Sequence, residues 1–404
     1  MGAGKTAIVC RALPAEGRVV IVAPLRVAAT VWPAELDLWT PEATYEVLAG
    51  KDQAQRSAST ARIQIVNFEL IPWAVRSGVF DGCQCVVLDE LSRLKDRSGV
   101  YVKTLRKVLP KIPVRWGLTG TFVSQGIIDT WSQVWCIDLG RSLGRTFASF
   151  AARYLVQGFE HWDITPRAGA EEEIAEQIKP LVFSIEPADY ADTLPPLRIT
   201  PIYVTLPDDA REAYQALARD MVIDNIAAES RLVLTGKLQQ FAQGAVYDEE
   251  REAVWFHFEK IGAAGNFLDH VPGPCLVVFQ FMFELEYLRY FKPGPVLGED
   301  DSLIDLWNEG ELPILYLHPR SGGHGLNLQA GGRHILWLGP VWSLDLWRQT
   351  NARLHRSGAT GPTHVSVIVA HNTVDYAVLA ALEAKADVAD AVDRYLRQNF
   401  CVGA

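Results

Sequence analysis

The sequence predicts an α/β protein with two parallel sheets covered by helices, and three observations carry that prediction. Short β-rich apolar runs recur along the chain, each followed by a loop and then by a stretch with helical spacing. The runs fall into two separate series. The chain has 404 residues, which at roughly 100–200 residues per domain allows two to three domains with ample core.

The first series comprises 19–23, 63–66, 85–88 and 114–118, and the second comprises 275–279, 314–317, 334–338 and 364–369. Between them, residues 141–270 read as mostly helical. Asp208 and Asp209 follow Pro207 as a start signal, and Tyr214, Leu217 and Met221 share one face. The segment 186–201 carries Pro187, Pro195, Pro196 and Pro201 and reads as a linker. A last helix is expected from near Thr373. The expected organisation is a first lobe over 1–150 lacking its first strand, a helical extension and linker over 151–200, and a second lobe over 201–404.

Composition narrows the function classes. With 49% hydrophobic and 21% charged residues the chain is neither disordered nor low in complexity. No apolar run reaches the roughly eighteen residues a membrane helix needs, and the start does not have the layout of a secretory signal, so a soluble cytoplasmic protein without membrane contact is expected. The six cysteines form no C-x-x-C pair and read as plain buried thiols. The net charge of −10 argues against nucleic acid at first sight. Residues 1–150, however, carry 18 Lys+Arg against 13 Asp+Glu, a net of +5, and residues 151–404 carry 20 against 35, a net of −15. A local basic track in the first part is therefore permitted.

Four constellations carry chemistry. Gly2-Ala3-Gly4-Lys5-Thr6 runs into apolar Ala7-Ile8-Val9. It matches the second half of a phosphate-binding loop, with backbone N–H groups around the phosphates, Lys5 as a point charge and the Thr6 hydroxyl on Mg²⁺. The same string also suits a simple turn before a helix. The apolar strand at 85–88 delivers Asp89 and Glu90 to its carboxyl end, where α/β sheets place catalysis. There Asp89 would hold Mg²⁺ and Glu90 would polarise an attacking water, although a solvated acidic pair is the plain alternative. Gly117-Leu118-Thr119-Gly120-Thr121 ends another strand and puts two hydroxyls where they could sense a nucleotide or serve only a turn. Far downstream come Gly322-Gly323-His324-Gly325-Leu326-Asn327-Leu328 and then Gln349 through Arg353 and Arg356 to Gly358. Arg353 and Arg356, three apart, would share a helix face and could reach one phosphoryl group, or form a solvated face.

Taken in order, these segments resemble the superfamily-two helicase-like ATPases of the Swi/Snf type (DEAD/DEAH-like), in the compact form seen in bacteriophage. Met1 to Thr6 is similar to the family's M-G-x-G-K-T, and Ala23-Pro24-Leu25 with Trp32, Glu35 and Trp39 to its P-x-x-L…W…E…W region. Asn67-Phe68-Glu69, the acidic box Asp89-Glu90-Leu91-Ser92 with Lys95, and Leu118-Thr119-Gly120-Thr121 resemble the following lobe-one motifs, with Phe122 where proline is usual. Val277-Val278-Phe279, Gly323 to Leu328, Trp342 and the Q-x-x-x-R-x-x-R-x-G pattern of Gln349, Arg353, Arg356 and Gly358 resemble those of lobe two.

The resemblance implies two RecA-like P-loop NTPase lobes that hold ATP and Mg²⁺ between them. Lobe one would supply Lys5, Thr6, Asp89 and Glu90, and lobe two Gln349, Arg353 and Arg356. It implies coupling through Thr119, Thr121, Gly323, Gly325 and Asn327, with Arg26, Asn67 and the loop from Ser321 near duplex DNA. The expected partners are duplex DNA and replication or recombination proteins, and a monomer is expected. The family's base-reading glutamine segment and the strand leading into the phosphate loop would precede Met1, so the chain is expected to be some tens of residues short. The expected activity is DNA-stimulated ATP hydrolysis with translocation on duplex DNA. A DNA- or partner-binding scaffold with impaired ATPase, and a strand-separating helicase, are the alternatives.

Overall fold

The computed structural model describes residues 4–49, 59–120, 127–157, 164–183, 194–220, 222–223, 226–227, 231–300, 302–320, 327–356 and 358–384. They divide into two compact units, one formed by the described residues up to 183 and the other by those from 194 onward.

The first unit is built on β1 (Arg18–Ala23), β2 (Tyr45–Val47), β3 (Ile63–Asn67), β4 (Cys83–Asp89) and β5 (Val114–Leu118), in spatial order β2-β3-β1-β4-β5. Every neighbouring pair is parallel. Val20, Val22, Val66, Val86 and Leu88 face one side, where they pack with Ile71 and Ala74 of the helix Ile71–Arg76 and with Val102 and Leu105 of the helix Val100–Leu105. Val19, Ile21, Ile63, Ile65, Cys85 and Val87 face the other, against Val9 and Cys10 of the helix Lys5–Ala12 and Trp32 and Leu36 of the helix Trp32–Trp39. With a side-chain period of two and both faces covered, β1 from Val19 to Ala23 and β4 from Cys85 to Leu88 read as unbroken apolar runs. A third cluster, including Trp131, Phe150, Tyr154 and Ile174, joins the helices Ile127–Asp138, Phe147–Tyr154 and Ala170–Ile178.

The second unit is built on β6 (Leu197–Val204), β7 (Cys275–Val278), β8 (Ile314–Leu317), β9 (His334–Trp337) and β10 (Thr363–Ala370), in order β8-β7-β9-β10-β6, again parallel throughout. The chain is thus an α/β protein with two five-stranded parallel sheets, the architecture of RecA-like lobes. The last helix runs Val374–Ala384, one residue after the expected Thr373.

Three expectations change. β6 occupies residues 197–204, so the end of the proline-rich segment read as linker belongs to a sheet. Pro201 masked it, but β6 is an edge strand paired only with β10, where a missing N–H is tolerated. β2 has only three half-buried residues, too few to register as a run. The region 141–270 is also less helical than its spacing suggests, because three antiparallel pairs among the described residues interrupt it: Leu155–Gln157 with Ile164–Pro166, Val222–Ile223 with Ile226–Ala227, and Ala245–Tyr247 with Ala253–Trp255. The five described cysteines are free and buried, as expected, and burial pushes the thiols of Cys10, Cys85, Cys136 and Cys275 up to about 12. Among the described residues no helix is long and apolar enough to cross a membrane.

A buried ion pair ties the second unit together. Lys260, on the helix Glu259–His270, places Nζ 2.5 Å from Oδ2 of Asp375, on the helix Val374–Ala384, with both side chains 1% exposed. Lys260 also donates to Gln243 Oε1 at 3.0 Å, and Asp375 accepts from the Ala370 backbone N–H at 2.9 Å. Two helices are thereby fastened to the carboxyl end of β10. Removing one partner strands a buried charge, so Lys260→Met is expected to lower stability by about 3–5 kcal/mol in urea unfolding of the full chain. The double variant Lys260→Met, Asp375→Leu is expected to recover most of that loss.

Candidate functional site

Strand register gathers the first set of site residues. Ala23 lies beside Asn67, Val22 beside Leu88, and Asp89 beside Leu118. The segments carrying Arg26, Asn67, Asp89, Glu90 and Thr119 therefore all leave the sheet at its carboxyl edge, where open α/β sheets bind ligands.

The helix Lys5–Ala12 starts from Gly4, whose φ of 69° is left-handed and suits glycine. Val9 and Cys10 anchor this helix in the core, leaving Lys5 and Thr6 half-buried in its first turn. First-turn N–H groups have no intrahelical acceptor and favour an anion. Gly2 and Ala3 lie outside the described residues.

Asp89 ends β4, and its Oδ2 accepts the indole N–H of Trp32 at 2.9 Å. Burial pushes the Asp89 carboxyl up to about 6; the Trp32 bond and the Lys5 charge pull it down, and the Glu90 charge pushes it further up. Glu90 follows with φ 69° and ψ 67°, a left-handed conformation rare outside glycine, and is 7% exposed. That backbone costs on the order of 1 kcal/mol. The Ser92 hydroxyl donates to Glu90 Oε1, which fixes the carboxylate from below the turn. At the end of β3, two strands away across β1, buried Asn67 donates through Nδ2 to Glu69 Oε2 at 2.6 Å, and Arg93 pairs with Glu69 at 3.3 Å. Thr119 is half-buried, one residue beyond the Asp89–Leu118 pair, and Thr121 lies outside the described residues.

The oxygens of Thr6 and Asp89 are the hard donors Mg²⁺ takes. A cation there would offset the desolvation that now raises the Asp89 pKa. The residues present therefore fit Mg²⁺ held with a nucleotide's phosphates.

The second unit carries the other set. Gln349 lies half-buried on the helix Leu344–Asn351, which Ser343 caps by accepting from Leu346 N–H at 3.3 Å. Arg353 and Arg356 do not share a helix face, because the helix ends at Asn351 and both arginines lie in the turns that follow. Beyond Asn351 the chain bonds at i→i+3, with Arg353 N–H on the Thr350 carbonyl and Leu354 N–H on the Asn351 carbonyl, both at 3.2 Å; the Asn351 Oδ1 accepts the Trp337 indole N–H at 3.0 Å, and Leu328 N–H bonds the Arg353 carbonyl at 3.3 Å. Arg353 is buried and Arg356 half-buried. Asn327 is exposed, and its carbonyl accepts from Asn308 Nδ2 at 3.0 Å. Ser321, Gly323 and Gly325 lie outside the described residues.

A cavity of about 440 Å³ in this unit is lined by Thr235, Gln239, Gln280, His318, Arg320 and Ser343, among others. Gln239 Nε2 donates to Gln280 Oε1 at 3.1 Å, and Gln280 Nε2 to the Gly339 and Pro340 carbonyls at 3.1 and 3.2 Å. These bonds join the chain after β7 to the chain after β9. Of its lining only Trp342 was singled out in the sequence, and the concave grouping of the others left no local signal. The Trp32 bond to Asp89 was also missed, since the partners lie 57 positions apart.

The chain is a member of a helicase-like ATPase family. The SNF2-related domain model matches residues 1–246, and the chain belongs to that family. The chain is 31% identical to protein p41 of Acyrthosiphon pisum secondary endosymbiont phage 1 over 96% of its own length and 92% of that protein. It is 22% identical to chromodomain-helicase-DNA-binding protein 1-like of Danio rerio over 97% of its own length but only 41% of that protein. A solved SWI2/SNF2 ATPase core of Sulfolobus solfataricus in complex with dsDNA is 19% identical, with a TM-score of 0.43, over 100% of this chain and 92% of that one.

The raised Asp89 pKa has two measurable consequences. Were Asp89 to hold Mg²⁺, only its ionised carboxylate would serve, and Mg²⁺-dependent nucleotide affinity would be expected to fall about tenfold between pH 7 and pH 5. Titration with a fluorescent nucleotide checks this. In the nucleotide-free protein the sign is opposite: a carboxyl raised above its unfolded value favours the fold below about pH 4, and this support is lost as pH rises through about 6. Asp89→Asn keeps an oxygen acceptor for Trp32 and is expected to stabilise the metal-free chain at pH 8 by about 1 kcal/mol in urea unfolding.

Proposed function

We propose that this chain is a DNA-dependent ATPase of the Swi/Snf helicase-like type that couples hydrolysis of ATP, with Mg²⁺, to translocation on duplex DNA. The observation that carries the reading is the convergence of the Gly4–Thr6 helix start, Asp89, Glu90 and Thr119 within one unit, at the carboxyl edge of a parallel sheet.

In this reading the N–H groups at the start of the helix Lys5–Ala12, with Gly2, Ala3 and Gly4, bind phosphate oxygens, and Lys5 adds a positive charge. Thr6 and Asp89 hold Mg²⁺, which neutralises charge on the phosphates. Glu90, the second carboxylate of an acidic box of DEAD/DEAH kind, orients the attacking water and accepts its proton. Gln349 contacts the nucleotide, and Arg353 and Arg356 stabilise charge on the transferring phosphoryl. Thr119 and Thr121 from the first unit, with Gly323, Gly325 and Asn327 from the second, couple nucleotide state to DNA grip.

Duplex DNA is engaged through its phosphates by Arg26, Asn67 and Ser321. Such contacts need a few placed donors, which is compatible with a net charge of −10.

Glu90→Gln is expected to lower ATP turnover by on the order of 10²–10⁴-fold while nucleotide binding persists. Turnover equal to that of the unaltered chain would remove Glu90 from the mechanism. Wild-type turnover is expected to rise with added duplex DNA and to displace a triplex-forming strand without unwinding the duplex. Turnover indifferent to duplex DNA would count against the DNA-dependent reading, and strand separation would turn it into a helicase.

A further inference from the structure

The Trp32 indole is fully buried, and a buried N–H donor needs an acceptor. It spends that donor on the Asp89 carboxylate rather than on any of the backbone carbonyls near its own helix. The segment before it is unusual as well. Val27–Val31 forms a π turn between Arg26 and Trp32, a geometry that weakens helical hydrogen bonding and recurs at functional sites. Ala28 N–H bonds the Pro24 carbonyl at 2.8 Å, and the Thr30 hydroxyl bonds the Arg26 carbonyl at 2.9 Å, so the turn is pinned where it leaves β1. Each helical residue advances the chain by about 100°, so the extra residue of the π turn sets the direction in which the indole points.

We propose that Trp32 is a positioning residue for the metal site: its indole N–H fixes the Asp89 carboxylate in the rotamer that receives Mg²⁺, and the π turn at Val27–Val31 exists to aim it. This rests on the reading of Asp89 as a metal ligand. Trp32 is more than core filling, because shape alone would be satisfied by any large aromatic ring, whereas the hydrogen bond requires the nitrogen.

The test separates the two roles in the full chain. Trp32→Phe removes the N–H with some loss of volume. Site-specific replacement of Trp32 by benzothienylalanine, which has sulfur in place of the indole nitrogen, removes the N–H and keeps the shape. Affinity for methylanthraniloyl-ADP is measured against Mg²⁺ concentration and again in EDTA. Both substitutions are expected to raise the Mg²⁺ concentration for half-maximal binding by five-fold or more. In the sulfur isostere, binding in EDTA is expected to stay within two-fold of wild type. Placing the isostere in an Asp89→Asn background is expected to add no further change in Mg²⁺ dependence. An isostere with wild-type Mg²⁺ dependence would overturn the positioning role alone. Mg²⁺-independent binding by the wild-type chain would overturn the metal reading of Asp89 and this inference with it.

Discussion

Side chains on β1, and on β4 from Cys85 to Leu88, alternate between two hydrophobic clusters, so packing claims both faces of the first sheet. Along those strands almost no position is left for a polar group. The constraint is relieved only where strands end and the backbone turns away from the helices on either side. Asp89, Glu90, Asn67 and Thr119 sit at that limit, at or just beyond the strand ends. The second sheet repeats the arrangement, with Gln280 and Gly339 beyond the ends of β7 and β9. The helix starting at Gly4 reaches the first unit's core through Val9 and Cys10, and its outer turn is thereby held steady.

The same constraint explains what the sequence disclosed. A strand covered on both faces must be apolar at every step, so Val19 to Ala23 and Cys85 to Leu88 stand out against their surroundings. β6 meets no such demand: most of it is exposed, Pro201 is admitted at the sheet edge, and the resulting string looks like a linker. Asp89 and Glu90 were legible because they terminate an apolar run. Their controls were not: the bond from Trp32, the hydroxyl of Ser92 and the left-handed turn are matters of three-dimensional direction.

The paired arginines show how a spacing argument can rest on a wrong geometry. Their three-residue spacing suggested a common helix face, yet the helix stops at Asn351 and gives way to turns. Arg353, which is buried, and Arg356, which is half-buried, lie in those turns, where Leu328 N–H and Ala359 N–H bond their carbonyls. Lys260 and Asp375 were equally invisible, being 115 positions apart in a region whose acidic charge reads as solvated surface. Such long-range pairs leave no local periodicity.

The backbone at Glu90 has an implication for how this protein can change. A left-handed residue is accommodated most easily by glycine or asparagine, so the fold alone would favour losing the carboxylate at this position. In the proposed reading of Glu90, selection for stability and selection for chemistry therefore pull against each other at one site. A lineage released from that chemistry would be expected to admit glycine or asparagine at residue 90 and gain stability by doing so.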